Sequence, residues 1–95
     1  MSIEVKRVEG RDAGHVMLYA LSTCVWCKKT KRLLGELGVA YEYIDVDGLS
    51  REERTEVEKE IRRWNPRVSF PTIVLDESRA ITGFDEERIR ENLGS

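Results

Sequence analysis

Ser22-Thr23-Cys24-Val25-Trp26-Cys27 holds both cysteines of the chain, two residues apart. On its N-terminal side, Val16-Met17-Leu18-Tyr19-Ala20-Leu21 is an unbroken apolar run of the length and composition of a buried strand. On its C-terminal side, Thr30, Leu33, Leu34 and Leu37 recur at i, i+3, i+4 and i+7, which is one face of a helix. The cysteines therefore stand where strand hands over to helix. At a helix N-terminus the unpaired N–H groups and the dipole stabilise an anion. A thiol held there loses its proton more readily than a free one, and the thiolate is the reactive form. Lys28, Lys29, Lys31 and Arg32 follow with no acid before Glu36, a local positive field that acts in the same sense. Lys28 is the expected activating charge. The stretch reads as a thiol–disulfide redox site.

Other uses of a C-x-x-C pair fit less well. Structural zinc takes four ligands, and His15 is the chain's one histidine. A structural disulfide closing so small a loop constrains the unfolded chain little. Two inert buried thiols would have no reason to sit at the basic start of a helix.

Working outward, Gly38 suits the left-handed position that ends the first helix. Val39-Ala40-Tyr41-Glu42-Tyr43-Ile44-Asp45-Val46 then reads as a strand, rich in β-branched and aromatic residues. Strand, helix, strand at this spacing is a βαβ unit, so the two strands should run parallel. Ser50-Arg51-Glu52-Glu53 is a capping box opening a second helix. That helix carries a thin apolar stripe, Val57, Ile61 and Trp64, and Asn65-Pro66 ends it. Thr72-Ile73-Val74-Leu75 and Ala80-Ile81-Thr82 make a hairpin about the turn Asp76 to Arg79. Asp85 caps a last helix that turns Ile89 and Leu93 inward. Upstream, Ile3 to Val8 alternates like a half-exposed edge strand, and Glu9 to Gly14 is the turn after it. His15, at the mouth of the first core strand with no partner nearby in sequence, is expected to be a solvated boundary residue.

Ninety-five residues suffice for one domain with a modest core and not for two. Residues 1–95 are accordingly expected to form a single domain, with 1–15 as its additional N-terminal strand and turn. A net charge of −2 gives no general affinity for nucleic acid or an anionic membrane. Met1 to Arg7 holds no apolar stretch of signal-peptide length, and no run could span a bilayer. The expected compartment is the reducing cytoplasm, where such a pair is more often catalytic than structural.

Three elements in this order and spacing resemble the glutaredoxin family over roughly Val16 to Leu93. They are Cys24-Val25-Trp26-Cys27 on a βαβ unit, Phe70-Pro71-Thr72 before a hairpin, and Thr82-Gly83-Phe84-Asp85 opening the final helix. The resemblance implies an α/β, thioredoxin-like fold: a central mixed four-stranded sheet flanked by three helices, with a possible extra N-terminal strand. It makes Cys24 the exposed nucleophile and Cys27 the resolving thiol. Pro71 would be the family's cis-proline beside the cysteines, and the backbone of Phe70 would hold an extended substrate segment by strand-like pairing. Gly83, Phe84 and Asp85 would complete the substrate site, with Asp85 both helix cap and contact for a charged end. Trp26 would be either an exposed recognition surface over the site or a packing residue.

Two departures bear on the reductant. Many glutathione-using members have a lysine three residues before the first cysteine, where this chain has Leu21. Thr82-Gly83-Phe84 resembles instead the corresponding segment of NrdH-type redoxins, which are reduced by a thioredoxin reductase and serve ribonucleotide reductase. The expectation is a monomeric, cytoplasmic dithiol oxidoreductase needing no cofactor. Its partners would be a disulfide-containing client protein and a thiol reductase, with glutathione as the alternative reductant. The alternative of another class is a module carrying an iron–sulfur cluster or metal across a homodimer.

Overall fold

The computed structural model describes residues 3–94. Its five strands are β1 (Lys6–Val8), β2 (Val16–Ala20), β3 (Tyr41–Asp45), β4 (Thr72–Leu75) and β5 (Arg79–Thr82). Three helices accompany them: α1 (Val25–Leu37), α2 (Arg51–Trp64) and α3 (Glu86–Leu93). The strands form one mixed sheet in the order β1-β3-β2-β4-β5. β2 and β3 are parallel, as the helix crossover between them requires, and every other pairing is antiparallel. The expected extra N-terminal strand is present. It adds to the outer edge of β3, so the sheet has five strands.

The period-2 alternation of the central strands divides the core into two layers. Val16, Leu18 and Ala20 of β2, with Ile73 and Leu75 of β4, point to the face covered by α1 and α3. There they meet Cys27, Leu33, Leu34, Ile89 and Leu93. Tyr19 and Val74 point the other way and meet Val57 and Ile61 of α2. Because both faces of β2 and β4 are covered, their sequences are apolar but for the buried Thr72 at the start of β4. The second helix keeps only a narrow stripe inside: Val57 and Ile61 are buried, and Trp64 is half-buried.

Local chemistry sets the ends of the elements. Gly38 adopts the left-handed conformation (φ 69°) at the end of α1, and its N–H returns to the Gly35 carbonyl at 3.1 Å. Ser50 and Glu53 make both bonds of the capping box at α2. The Asp85 side chain accepts the Arg88 N–H at 3.1 Å to start α3.

Some boundaries and one residue depart from expectation. Only Lys6–Val8 of the segment from Ile3 pairs, because Tyr41–Tyr43 is the part of β3 that faces it. β3 itself ends at Asp45, where Val46–Gly48 turns into a single 3₁₀ turn. β5 begins one residue earlier than expected, at Arg79, since Asp76 and Glu77 turn tightly with positive φ (53° and 51°). His15 is exposed, as expected, but it has a partner that the sequence did not show. Its Nε2 lies 2.9 Å from Oε1 of Glu42, because parallel pairing sets Met17 opposite Glu42 and so brings His15 beside a residue 27 positions away.

Candidate active site

The site begins with two cysteines that occupy different environments one helical turn apart. Cys24 is the N-cap of α1 with extended backbone (φ −84°, ψ 119°), and it is half-buried. Cys27, inside the first turn, is fully buried among the residues of the α1–α3 layer. Both are free thiols. The Cys27 N–H donates to Sγ of Cys24 at 3.2 Å, so the capping role usually taken by an oxygen falls to a sulfur. Burial pushes the Cys27 thiol up to about 12, and its contact with Cys24 acts in the same direction. A backbone hydrogen bond from Leu21 and the charge of Lys31 oppose that shift. The inner sulfur is therefore held as a neutral thiol, out of solvent, directly behind the outer one.

The approach to Cys24 is braced from another element. The Ser22 N–H donates to Oδ1 of Asp47 at 2.9 Å, and the Ser22 hydroxyl donates to Oδ2. These bonds hold the Asp47 carboxyl below the usual carboxylate range and tie the loop before α1 to the 3₁₀ turn after β3. Asp47 gave no sequence signal, since 25 residues separate it from Ser22.

A second brace sets the loop between α2 and β4. Asn65 is buried, and its Nδ2 reaches Oγ of Ser69 at 2.9 Å, Oγ1 of Thr72 at 3.0 Å and the Ser69 carbonyl at 3.3 Å. Its own carbonyl accepts the Val68 N–H at 2.9 Å. Val68 has φ 49°, which costs a β-branched residue on the order of 1–3 kcal/mol. The Asn65 hydrogen bonds hold the chain in that turn. Beyond it, the Phe70–Pro71 bond is cis, and the Pro71 carbonyl accepts the Gly83 N–H at 2.8 Å. The sequence marked Asn65 only as a helix end.

These segments converge. Trp26, Phe70, Pro71, Gly83 and Phe84 line one groove of about 200 Å³, and Cys24, Phe70 and Phe84 pack on the same core layer. Five residues expected at a substrate site thus share a surface. Asp85 adjoins it as the cap of α3. Trp26 combines the two roles weighed for it: it is 54% exposed, yet its ring stacks on Phe84 with centroids 5.8 Å apart. Lys29 Nζ lies over its ring, 4.5 Å from the centroid. Such contacts contribute on the order of 1 kcal/mol each, enough to bias one rotamer on an open rim.

The basic turn after the cysteines divides by partner. Lys31 pairs with Asp45 at 2.9 Å and lies over Tyr43. Lys28 is exposed and makes no ion pair among the described residues, whereas the charge acting on Cys27 comes from Lys31. Leu21 packs into the α2-side core layer and presents no cation toward the groove. Arg67 borders a wider groove of about 540 Å³ that meets the first at Gly83. Among the described residues no group of three or more His, Cys, Asp or Glu is placed to hold a metal ion.

Comparison with known proteins agrees with this geometry. The glutaredoxin family model matches residues 16–79. The structure of a methanoredoxin from Methanosarcina acetivorans is 55% identical, with 90% of each chain covered and a TM-score of 0.87. That of the NrdH-redoxin from Escherichia coli is 25% identical, with 81% of this chain and 92% of the other covered and a TM-score of 0.66. Glutaredoxin 1 of Rickettsia conorii is 38% identical over 61 residues, 64% of this chain. The match spans only 57% of that relative's length. On the strength of the match over Val16 to Arg79, which takes in both cysteines, the cis-proline and the core strands, the chain belongs to the glutaredoxin family, whose members are thiol–disulfide oxidoreductases.

Proposed function

We propose that this chain is a dithiol oxidoreductase that reduces disulfides in client proteins and is itself recycled by a dedicated thiol reductase. The observation that carries the reading is the asymmetry of the pair: a half-buried Cys24 beside a groove, backed by a fully buried Cys27. The Cys24 thiolate attacks one sulfur of the client disulfide. A Cys24–client disulfide forms, the client S–S bond breaks, and the first client thiolate leaves. Cys27 then gives up its proton and attacks Cys24, forming the Cys24–Cys27 disulfide. The second client sulfur departs as a thiolate and takes a proton. Two electrons pass from the dithiol to the client, and a thiol reductant must return them.

Pro71 and the backbone of Phe70 line the floor along which an extended client segment lies, Gly83 and Phe84 its far wall. Lys28 contributes positive charge at the helix start, and Asp85 faces a charged end of the substrate.

Leu21 supports a reductase over glutathione. A site for glutathione needs a cation for its glycyl carboxylate, and an inward leucine supplies none. Losing one charge-assisted hydrogen bond costs roughly 1.5–3 kcal/mol, one to two decades in affinity. Arg67, on the wider groove joined at Gly83, favours the second reading, a glutathione-dependent enzyme. The test is to oxidise the protein and follow return of the dithiol with millimolar glutathione or with a thioredoxin-type reductase. Efficient recycling by the reductase, slow recycling by glutathione and a gain with glutathione in Leu21→Lys are expected. Rapid turnover of the wild-type protein with glutathione would establish the second reading.

A further inference from the structure

Three features of the α1 surface extend beyond the thiol exchange itself: the aromatic rim of the groove, its neighbouring cations and a depression between α1 and α3. Val25 (62% exposed) and Trp26 (54%) are two of the three large apolar side chains left exposed among the described residues, and they follow directly after Cys24 in sequence. Trp26 lies between Lys29 and Phe84, a cation above one ring and a second ring stacked on it. Phe84 then serves two concavities: the groove it shares with Pro71, and a depression of about 140 Å³ bordered also by Lys29 and Arg32.

The charges of that depression do not cancel. Its acids, Glu36 and Glu86, both pair with Arg90, at 3.8 and 2.8 Å. Lys29 and Arg32 have no carboxylate partner among the described residues, and the first turn of α1 contains no acid. This positive, partly aromatic patch lies beside the reactive thiol of a chain whose net charge is −2. Of the other acids at the start of α3, Asp85 caps the helix through the Arg88 N–H and Glu87 is exposed.

We propose that Trp26, Lys29, Arg32 and Phe84 form a docking face for an acidic, extended segment of the client protein. The inference rests on the redox reading above. The client half-cystine lies opposite Cys24, a neighbouring apolar side chain enters the groove lined by Trp26, Phe70, Pro71 and Phe84, and a carboxylate one or two residues along reaches Lys29 and Arg32. Two features select this occupant. The unpaired cations call for an anion, and the exposed tryptophan calls for an apolar side chain beside it rather than charge alone. Like-charged clients are repelled by the same pair, and the patch raises the encounter rate of acidic ones at low salt.

The test uses the full, reduced chain and single-turnover kinetics with three synthetic disulfide peptides. They share an apolar residue next to the half-cystine and differ only in the following position: Asp, Asn or Lys. The expected order of rate constants is Asp, then Asn, then Lys, with about tenfold between the extremes at low ionic strength and little at high salt. Lys29→Glu with Arg32→Glu should reverse the order, and Trp26→Ala should slow all three peptides more than it slows a small organic disulfide. Equal rates for the three peptides, or an order unchanged in the charge-reversed protein, would overturn the docking face and leave the redox reading standing. So would an equal gain for a small disulfide dicarboxylate too short to reach Phe84, or a dimer of the chain that Trp26→Ala dissolves. No reduction of any disulfide would instead remove the redox reading, and the docking face with it.

Discussion

At the scale of single residues, the two cysteines differ by burial more than by sequence. Cys27 is fully enclosed and its thiol is pushed up to about 12, so at neutral pH it offers almost no thiolate to a reagent in solution. Cys24 is only half-buried. Alkylation of the reduced protein at pH 7 should therefore modify Cys24 first and by at least an order of magnitude in rate, read by peptide mapping. Equal rates at both positions would contradict the division of roles. The sequence marked the pair because helical period and strand pattern met there, whereas Pro71, Gly83 and Phe84 were expected at the site only through the resemblance of their motifs to the glutaredoxin family. Asp47 and Asn65 were not legible. Each acts through hydrogen bonds to a loop, and what makes it a brace is a partner brought close by the fold: Ser22 across the β2–β3 crossover, and Thr72 across a turn through Val68.

At the scale of elements, the N-terminal arm does more than lengthen the sheet. Its backbone bridges the end of α1 to β3, with Arg11 N–H donating to Gly38 and the Arg11 carbonyl accepting from Ala40. The Arg11 guanidinium donates to the Leu93 carbonyl at 2.6 Å and approaches the Leu37 carbonyl at 3.5 Å. One cation thus serves the C-terminal ends of α1 and α3, where the helix dipoles favour positive charge. Hydrogen bonds from charged groups contribute about 1.5–3 kcal/mol. Arg11→Ala should lower the unfolding free energy by roughly that amount in a urea titration, and Arg11→Lys should recover part of it. An unchanged midpoint would show the arm to be ornamental to stability. Pattern reading found the strand and turn here but not the cap, because nothing in Glu9 to Gly14 distinguishes an arginine aimed at two helix ends from one in water.

For the whole molecule, burial of titrating groups predicts how stability responds to alkali. The folded protein keeps the Cys27 proton up to about 12, whereas the unfolded chain loses it near 9.0. Above pH 9 the unfolded state binds fewer protons than the native state, so stability falls as pH rises. Tyr19 behaves alike from pH 10 upward, since burial pushes its hydroxyl to about 12, with Glu60 and Glu77 adding to the shift. In the Cys24–Cys27 disulfide the thiol proton is gone, and only the tyrosine contribution remains. Denaturant melts of the two redox forms should show the reduced protein losing stability between pH 9 and 10 while the oxidised protein changes little. Parallel pH profiles for the two forms would mean that the Cys27 thiol is not held protonated by the fold.

The central claim is that Cys24 attacks and Cys27 resolves. Intact-mass analysis of the wild-type protein, Cys24→Ser and Cys27→Ser, each reduced and then exposed to the same disulfide peptide, tests it most directly. The wild-type protein should emerge lighter by two hydrogens and free of peptide. Cys27→Ser should carry one peptide, mapped to Cys24, and Cys24→Ser should remain unmodified. A peptide retained on the wild-type protein, or an adduct formed through Cys27 in Cys24→Ser, would contradict the account.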